Sequence, residues 1–165
     1  MHCHLPVLMI EKEIYIWMIY YKKWLTVLFL GCFLMIQNLS AQEWQTNLGK
    51  AQELAKKNNE NIILVFQGSD WCAPCIKLER EVWSTEEFQK LAKDHFVMLK
   101  ADFPRKKQNK LPATQEEHNK TLASKYNPNG YFPYVVVLDA NGKVLGQTGY
   151  EKSTPKAYFD KLKSF

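Results

Sequence analysis

The feature that most constrains this chain is a pair of cysteines placed directly after a short apolar run. The run, Ile62-Ile63-Leu64-Val65-Phe66, is unbroken, which is typical of a strand buried on both faces. Gly68-Ser69-Asp70 interrupts it, and Trp71-Cys72-Ala73-Pro74-Cys75 follows at once. Because proline is favoured in the first turn of a helix, we expect a helix to begin at the cysteines. The pattern therefore predicts two thiols at the junction of a buried strand and a helix.

Two thiols at this spacing can close a small disulfide ring. Cys72 would lie at the positive end of the helix dipole, near unpaired backbone N–H groups, and both effects stabilise a thiolate nucleophile. Cys75 would lie one turn further on, where it can resolve a mixed disulfide. Two other interpretations stay open at this point, a structural disulfide and half of a zinc site. Zinc needs further ligands, for which residues 42–165 offer only His95 and His118.

The start of the chain has the order of a secretory signal peptide. Lys22 and Lys23 precede an apolar run from Trp24 to Ile36, which small and polar residues follow as far as Ala41. We expect residues 1–41 to be a signal peptide cleaved after Ala41. An uncleaved membrane anchor is the alternative, although the run is shorter than the roughly 20 residues that a spanning helix needs. Residues 1–17 fit poorly before a signal peptide, and Met18 would be a more usual start.

Charge and cysteine usage limit the class of protein. Residues 42–165 carry 19 basic and 15 acidic side chains, a mild excess that does not indicate a nucleic-acid-binding protein. Of the four cysteines, Cys3 and Cys32 fall in the predicted signal peptide, and lipidation at Cys32 is a weaker alternative to cleavage. An exported protein meets an oxidising compartment, where a single close pair is either a small disulfide or a redox site. We predict neither a cofactor nor a bound metal.

Periodicity predicts alternating helices and strands. Residues 44–58 have apolar positions at helical spacing. Capping boxes at Ser84/Glu87 and Thr114/Glu117 indicate two further helix starts, and Thr154-Pro155 indicates the last. Strands are expected at His95 to Ala101, Tyr134 to Leu138 and Lys143 to Thr148, the last two forming a hairpin at Asn141-Gly142. The order α-β-α-β-α-β-β-α predicts a mixed sheet covered by helices on both faces, parallel except at the hairpin.

These motifs resemble the thioredoxin superfamily over residues 44–165. The resemblance rests on Trp71-Cys72-Ala73-Pro74-Cys75, on Phe132-Pro133 before the Tyr134 strand, and on the Asp139-Ala140-Asn141-Gly142-Lys143 hairpin. Within this superfamily the chain resembles exported thioredoxin-like domains of bacterial thiol:disulfide interchange proteins, such as the C-terminal domain of DsbD. The resemblance implies an α/β fold, a three-layer α/β/α sandwich, in residues 42–165. It also implies that the peptide bond before Pro133 is cis and that Pro133 faces the cysteine pair. The alternative interpretation is an ordinary proline at the edge of a strand.

The resemblance extends to other site residues and also shows two departures. Glu79 lies seven residues after Cys72, where the DsbD-like domains also carry a glutamate; it would disfavour the thiolate and accept the proton of Cys75. The plain alternative is a solvated side chain without thiol contact. Phe66 stands where thioredoxins have a buried aspartate, and Phe132 stands where a small or β-branched residue is common. Substrate contacts are expected from Trp71, Phe132 and Tyr131.

The sequence thus predicts a monomeric thiol:disulfide oxidoreductase that acts on disulfide-containing exported proteins. Proline at position 74, shared with thioredoxin-type reductants, favours reduction, which would require a membrane thiol electron donor. A redox-inactive binding module or chaperone is the main alternative. A peroxidase is weaker, because no peroxidatic cysteine motif stands apart from the pair. Residues 103–113 contain Arg105, Lys106, Lys107 and Lys110, and we call this segment the basic loop. Its ordinary interpretation is a loop exposed to solvent, and the alternative is a docking site for a partner.

Overall fold

The computed structural model describes residues 17–18, 20–22 and 43–165. The chain forms two compact units, Met1–Ser40 and Ala41–Phe165. In the first unit the described residues are helical. The predicted cleavage site after Ala41, the apolar run before it and Cys32 all lie outside the described residues. Within the described ranges, no helix combines the length and the apolar character needed to cross a membrane.

The second unit is built around a mixed sheet of five strands. They are β1 (Trp44–Gln45), β2 (Asn61–Gln67), β3 (Phe96–Asp102), β4 (Tyr134–Leu138) and β5 (Val144–Thr148), in the spatial order β1-β3-β2-β4-β5. β1 and β2 run parallel to β3, whereas β4 runs antiparallel to both β2 and β5. The mixed sheet confirms the predicted fold class.

The direction of β4 differs from the expectation that only the hairpin is antiparallel. Pairing of β2 with β4 places Phe66 opposite Tyr134, so β4 begins beside the point where β2 ends. The segment between β3 and β4 therefore starts and finishes at the same end of the sheet, whereas a parallel β4 would have to start at the opposite end. This arrangement brings Phe132 and Pro133 to the end of the sheet that carries the cysteines.

Helices cover both faces of the sheet. They are α1 (Leu48–Asn58), α2 (Ala73–Leu78), α3 (Glu86–Ala92), α4 (Ala113–Tyr126) and α5 (Pro155–Lys163), with a π-helical turn Glu79–Trp83 after α2 and a 3₁₀ turn Lys107–Asn109 in the basic loop. α1 and α4 contribute to the apolar layer on one face, and α2, α3 and α5 to the layer on the other. This is the predicted three-layer sandwich.

The first predicted helix was too long. Trp44 belongs to β1, where it pairs with Met98 of β3, and is not the first position of a helix. The helix begins only after Asn47, whose side chain accepts a 3.0 Å hydrogen bond from the backbone N–H of Lys50. The four-residue spacing between Trp44 and Leu48 matches a helix only by coincidence, because Trp44 belongs to the short strand before it.

Both predicted capping boxes were wrong, whereas the last helix start is confirmed. Thr85, not Ser84, caps α3 by accepting from the backbone N–H of Phe88. α4 begins at Ala113 after Pro112 without a side-chain cap, so Thr114 lies inside its first turn. Thr154 caps α5 as expected. The Ser84 hydroxyl instead donates a hydrogen bond to the Glu79 carboxylate.

The core fixes α2 against the sheet. Alternate side chains of β2 enter different layers, with Val65 on one face and Phe66 on the other. In the first layer Trp83 is 2% exposed and packs edge-on against Phe88 and Tyr158, with ring centres 4.8 and 5.3 Å apart. Burial of such rings contributes several kcal/mol. The π-helical turn is therefore anchored at its end, which holds the residues before it in place.

Candidate active site

The cysteine pair lies where β2 gives way to α2, as predicted. Cys72 and Cys75 form a disulfide with Cα atoms 5.2 Å apart. Cys72 is the N-cap of α2, and its Sγ accepts a 3.3 Å hydrogen bond from the backbone N–H of Cys75. That N–H would stabilise a thiolate on Cys72, because hydrogen bonds to an ionised acceptor are stronger than neutral ones.

Because Cys72 is nearer the helix start, it is expected to be more exposed than Cys75, but the two cysteines are almost equally buried. In the disulfide form Cys72 is 4% exposed and Cys75 is 3% exposed. Position on the helix, not accessibility, therefore distinguishes the two sulfur atoms. The aromatic residues expected to contact substrate, Trp71, Phe132 and Tyr131, are called the rim below.

A tight turn presents Trp71 at the rim. The backbone N–H groups of Trp71 and Cys72 both donate to the carbonyl of Gly68, at 3.3 and 2.9 Å. Gly68 lies directly under the indole, since a Cβ at this position would be 2.3 Å from the Trp71 ring. The indole Nε1–H donates a 2.7 Å hydrogen bond to the carbonyl of Phe103. Glycine at position 68 thus allows the indole to lie flat against the turn.

A carboxylate at the end of β3 fastens the same turn to the sheet. Asp102 accepts hydrogen bonds from the backbone N–H of Ser69 at 2.9 Å and from its hydroxyl at 2.7 Å. β3 lies parallel to β2 with Gln67 opposite Asp102, so the two strand ends meet here. The turn before the cysteines is consequently held from both strands.

The Phe132–Pro133 bond is cis, as the resemblance implied. Pro133 is buried, and the Phe132 ring lies 5.5 Å from that of Trp71. Phe132 is half-buried and packs partly against the core, whereas Tyr131 is 58% exposed. Of the three aromatic residues expected to contact substrate, Trp71 and Phe132 therefore contact each other, and Tyr131 extends into solvent.

Glu79 lies near Cys75. Together with Gln67, Ser69 and Ile76, these two residues line a cavity of about 100 Å³. Oε1 of Glu79 accepts a 2.8 Å hydrogen bond from the Ser84 hydroxyl, whereas Oε2 is buried and has no hydrogen-bond partner among the described residues. The carboxylate thus lines the same pocket as the second cysteine and has one buried oxygen, so it is not fully solvated, and its contact with a thiol stays a prediction.

The basic loop is attached to the site. Asp70 accepts hydrogen bonds from the backbone N–H groups of Arg105 and Lys106, at 2.9 and 3.0 Å, and from the Asn109 amide at 2.9 Å. The Arg105 N–H, more than any other group, lowers the pKa of the Asp70 carboxyl from its ordinary value. The Arg105 guanidinium stacks on Trp71, 3.7 Å from the ring centre. Asp70 and Trp71, which precede Cys72, therefore both hold this loop.

Several residues at the site were not predicted from the sequence to have a role there, among them Asp70, Ser84, Phe103 and Gln67. Asp70 and Ser84 hold other site residues, Phe103 accepts the Trp71 hydrogen bond, and Gln67 lines the cavity beside Cys75. A role for Asp70 could have been predicted, because this carboxylate directly precedes Trp71 and Cys72 in a chain that also has a basic loop. The other three act through tertiary contacts that no local pattern indicates.

The described part of the chain brings no three His, Cys, Asp or Glu side chains together in a group able to hold a metal ion. The groups that lie together at this site are the two sulfur atoms, the backbone N–H of Cys75 and the Glu79 carboxylate.

Comparison with known proteins agrees with this geometry. Residues 48–163 match the family model of the thioredoxin-like domain. The chain is 38% identical over 122 residues to the disulfide bond reductase DsbH of Chlamydia pneumoniae, covering 74% of this chain and 71% of that protein.

Solved structures show the same relationship. A DsbH oxidoreductase superposes with a TM-score of 0.69 at 36% identity, covering 76% of this chain and 84% of the other. A disulphide isomerase from Xylella fastidiosa Temecula1 shares the fold, with a TM-score of 0.54 at 22% identity and coverage of 78% and 92%. The chain therefore belongs to the thioredoxin-like family, as a thiol:disulfide oxidoreductase with a Cys-Ala-Pro-Cys pair.

Proposed function

We propose that this protein reduces disulfide bonds of other exported polypeptides, with Cys72 as the nucleophile and Cys75 as the resolving thiol. The observation that carries the proposal is the position of Cys72 at the N-cap of α2, with its Sγ facing the Cys75 N–H. Similarity to a protein named disulfide bond reductase supports the direction. So does the resemblance to thioredoxin-type reductants at Pro74.

The reaction begins from the dithiol form. The Cys72 thiolate attacks one sulfur of the partner disulfide, forming a mixed disulfide and releasing the partner's other sulfur as a thiolate. The Cys75 thiolate then attacks Sγ of Cys72, which closes the ring and releases the second partner sulfur. The partner gains two electrons and two protons, and the protein becomes the disulfide form seen here.

Glu79 would accept the proton that Cys75 must lose before it attacks. It lines the same cavity as Cys75, and its buried Oε2 has no hydrogen-bond partner within residues 43–165 or the other described positions. Phe66, which is fully buried, cannot provide this function at the position where thioredoxins have an aspartate. Glu79 is therefore the carboxylate best placed for proton transfer during resolution.

Trp71, Phe132 and Tyr131 would contact the partner polypeptide. Trp71 and Phe132 lie in ring contact at the rim, and the exposed Tyr131 extends the same aromatic surface. Pro133 would hold this segment beside the cysteines. A partner whose sulfur bonds to Cys72 has to lie across these residues, because Cys72 itself is almost fully buried.

Repeated reduction requires a supply of electrons. Each turnover leaves the Cys72–Cys75 disulfide, which has to be reduced by a second dithiol before the next. In an oxidising compartment a membrane thiol protein is the donor that we propose. The export that this implies is supported by the charged and apolar order of residues 22–41. Mass spectrometry of protein from native cells should find a chain beginning at or near Gln42; an intact Trp24–Ile36 segment would instead favour an anchor.

Two measurements test the activity and its direction. The protein should catalyse reduction of insulin by dithiothreitol, and failure to do so would favour a binding module that kept the fold. Equilibration in glutathione buffers should give a reduction potential nearer to the roughly −270 mV of thioredoxin than to the roughly −120 mV of the oxidant DsbA. A potential near the oxidant value would reverse the proposed direction.

A further inference from the structure

The basic loop is part of the active-site rim and not a free connection. Its backbone is held by two hydrogen bonds to the Asp70 carboxylate, and its Phe103 carbonyl accepts from the Trp71 indole. Phe103 also packs edge-on against Phe132, with ring centres 5.5 Å apart. The loop is thus attached to residues on both sides of the cysteine pair.

The side chains of the loop form an exposed cationic surface. Its four cations are all exposed, and residues 103–113 contain no acidic residue. The carboxylates close to the loop, Asp70 and Asp102, accept hydrogen bonds mainly from backbone N–H groups and Ser69. The ion pairs found among the described residues all lie elsewhere, so the loop cations form no close ion pair there, although the Asp70 charge lies near Lys106.

Arg105 packs on the residue before Cys72 and carries donors that suit a carboxylate. Its guanidinium lies 3.7 Å from the centre of the Trp71 ring, and Trp71 directly precedes Cys72. Stacking on an aromatic ring leaves the N–H donors of arginine free at the edge of the guanidinium plane, where they fit a carboxylate bidentately. The guanidinium makes no hydrogen bond within the described part of the chain.

We propose that the basic loop binds an acidic segment of the partner polypeptide, with Arg105 pairing with a carboxylate next to the partner disulfide. This inference rests on the proposed function. A partner sulfur that reaches Cys72 must bring its chain across the Trp71–Phe132 contact, and the loop is the continuation of that surface. This continuity favours a polypeptide over a membrane surface as the occupant.

The test compares two disulfide-bonded peptides that differ only in flanking Glu or Gln residues. The kcat/KM for their reduction, with dithiothreitol regenerating the enzyme, should favour the Glu peptide by on the order of tenfold at low salt, and the ratio should fall toward one at high salt. Replacing all four loop cations by Gln should also bring the ratio to about one. Arg105→Gln alone should lower the ratio more than Arg105→Lys.

A matched control removes four exposed cations at the opposite end of the sheet. Lys56, Lys57, Lys90 and Lys93 lie on or just after the helices that precede β2 and β3, and their replacement by Gln changes the net charge by the same amount. This variant should retain the preference for the Glu peptide. Circular dichroism of both quadruple variants checks that they fold.

The outcomes separate the two proposals. Failure of the unchanged protein to reduce either peptide would refute the proposed function. Equal reduction of both peptides, or a preference that survives loss of the four loop cations, would refute acidic docking and leave the function intact. Equal reduction accompanied by loop-dependent binding to phosphatidylglycerol vesicles would assign the loop to a membrane surface instead.

Discussion

The hydroxyl of Ser84 donates a 2.8 Å hydrogen bond to Oε1 of Glu79, and the backbone N–H of Ser84 donates to the Glu79 carbonyl at the same distance. The backbone bond spans five residues and closes the π-helical turn Glu79–Trp83. π-Helical turns are frequent at functional sites because they redirect a side chain within an otherwise regular helix. Here the turn and the hydroxyl together hold the carboxylate at the cavity that it shares with Cys75.

Glu79→Gln should make the Cys72 thiolate form at lower pH and should slow resolution near neutral pH. Removing the anion removes a charge that disfavours the thiolate, and removing the base leaves the Cys75 proton without an acceptor. The rate of alkylation of the reduced protein, followed against pH, reports the first effect. Glu87→Gln, on the exposed side of α3, is the control. Superimposable alkylation curves for Glu79→Gln and the unchanged protein would exclude the proposed role.

Ser84→Ala should give a weaker form of the same change. It removes the hydrogen bond that orients Glu79 but keeps the charge, so the thiolate titration should move less than in Glu79→Gln. Rescue by Ser84→Thr, which keeps a hydroxyl, would separate orientation from general loss of stability. An Ala variant with the full Glu79→Gln phenotype would mean that the carboxylate leaves the cavity entirely.

Substitution of the two cysteines should give different products. Cys72→Ser should abolish insulin reduction because the nucleophile is lost. Cys75→Ser should accumulate mixed disulfides with partner proteins, since the attack still occurs and resolution does not. Electrophoresis without reductant, followed by reduction, distinguishes the two. If Cys72→Ser trapped partners and Cys75→Ser did not, the proposed roles would be reversed.

Gly68→Ala should displace Trp71 and lower both stability and activity. The added Cβ would lie 2.3 Å from the indole, which is a rigid ring held by its hydrogen bond to Phe103. Overpacking of this kind costs roughly 1–3 kcal/mol. Gly49→Ala is the comparison variant, because its Cβ would meet only Oδ1 of Asn47 at 3.2 Å, the end of a side chain that can shift although it caps α1. Equal thermal stabilities of the two variants would show that the indole moves aside without cost.

Acid should release the basic loop from the rim. The Arg105 N–H holds the pKa of Asp70 below its ordinary value, so the contribution of this carboxylate is complete above the ordinary value and is lost as pH falls through the lowered one. The NMR signal of the Trp71 indole N–H, which is bonded to Phe103, should shift over that range. In Asp70→Asn the signal should already have its low-pH position at neutral pH. An unchanged indole signal across acid pH would show that Asp70 does not hold the loop.

Local patterns were sufficient to predict the fold class and the cysteine pair. The apolar run before Gly68 and the proline after Cys72 identify a strand and a helix start without tertiary information, because burial and backbone geometry leave a direct trace in residue type. Helix starts were less predictable. Ser84 has the spacing of a capping residue, yet its hydroxyl bonds to Glu79 and Thr85 caps the helix instead.

The sequence by itself determined that two thiols meet at a strand–helix junction and that a proline precedes a later strand. Only the tertiary structure decided that β4 runs antiparallel to β2, which places Phe132 against Trp71. It also decided that the basic loop belongs to the site, through Asp70 and Arg105. The physical reason is that residue type records how one segment of chain is buried and turned, whereas a contact between distant segments depends on the directions in which several elements pack together.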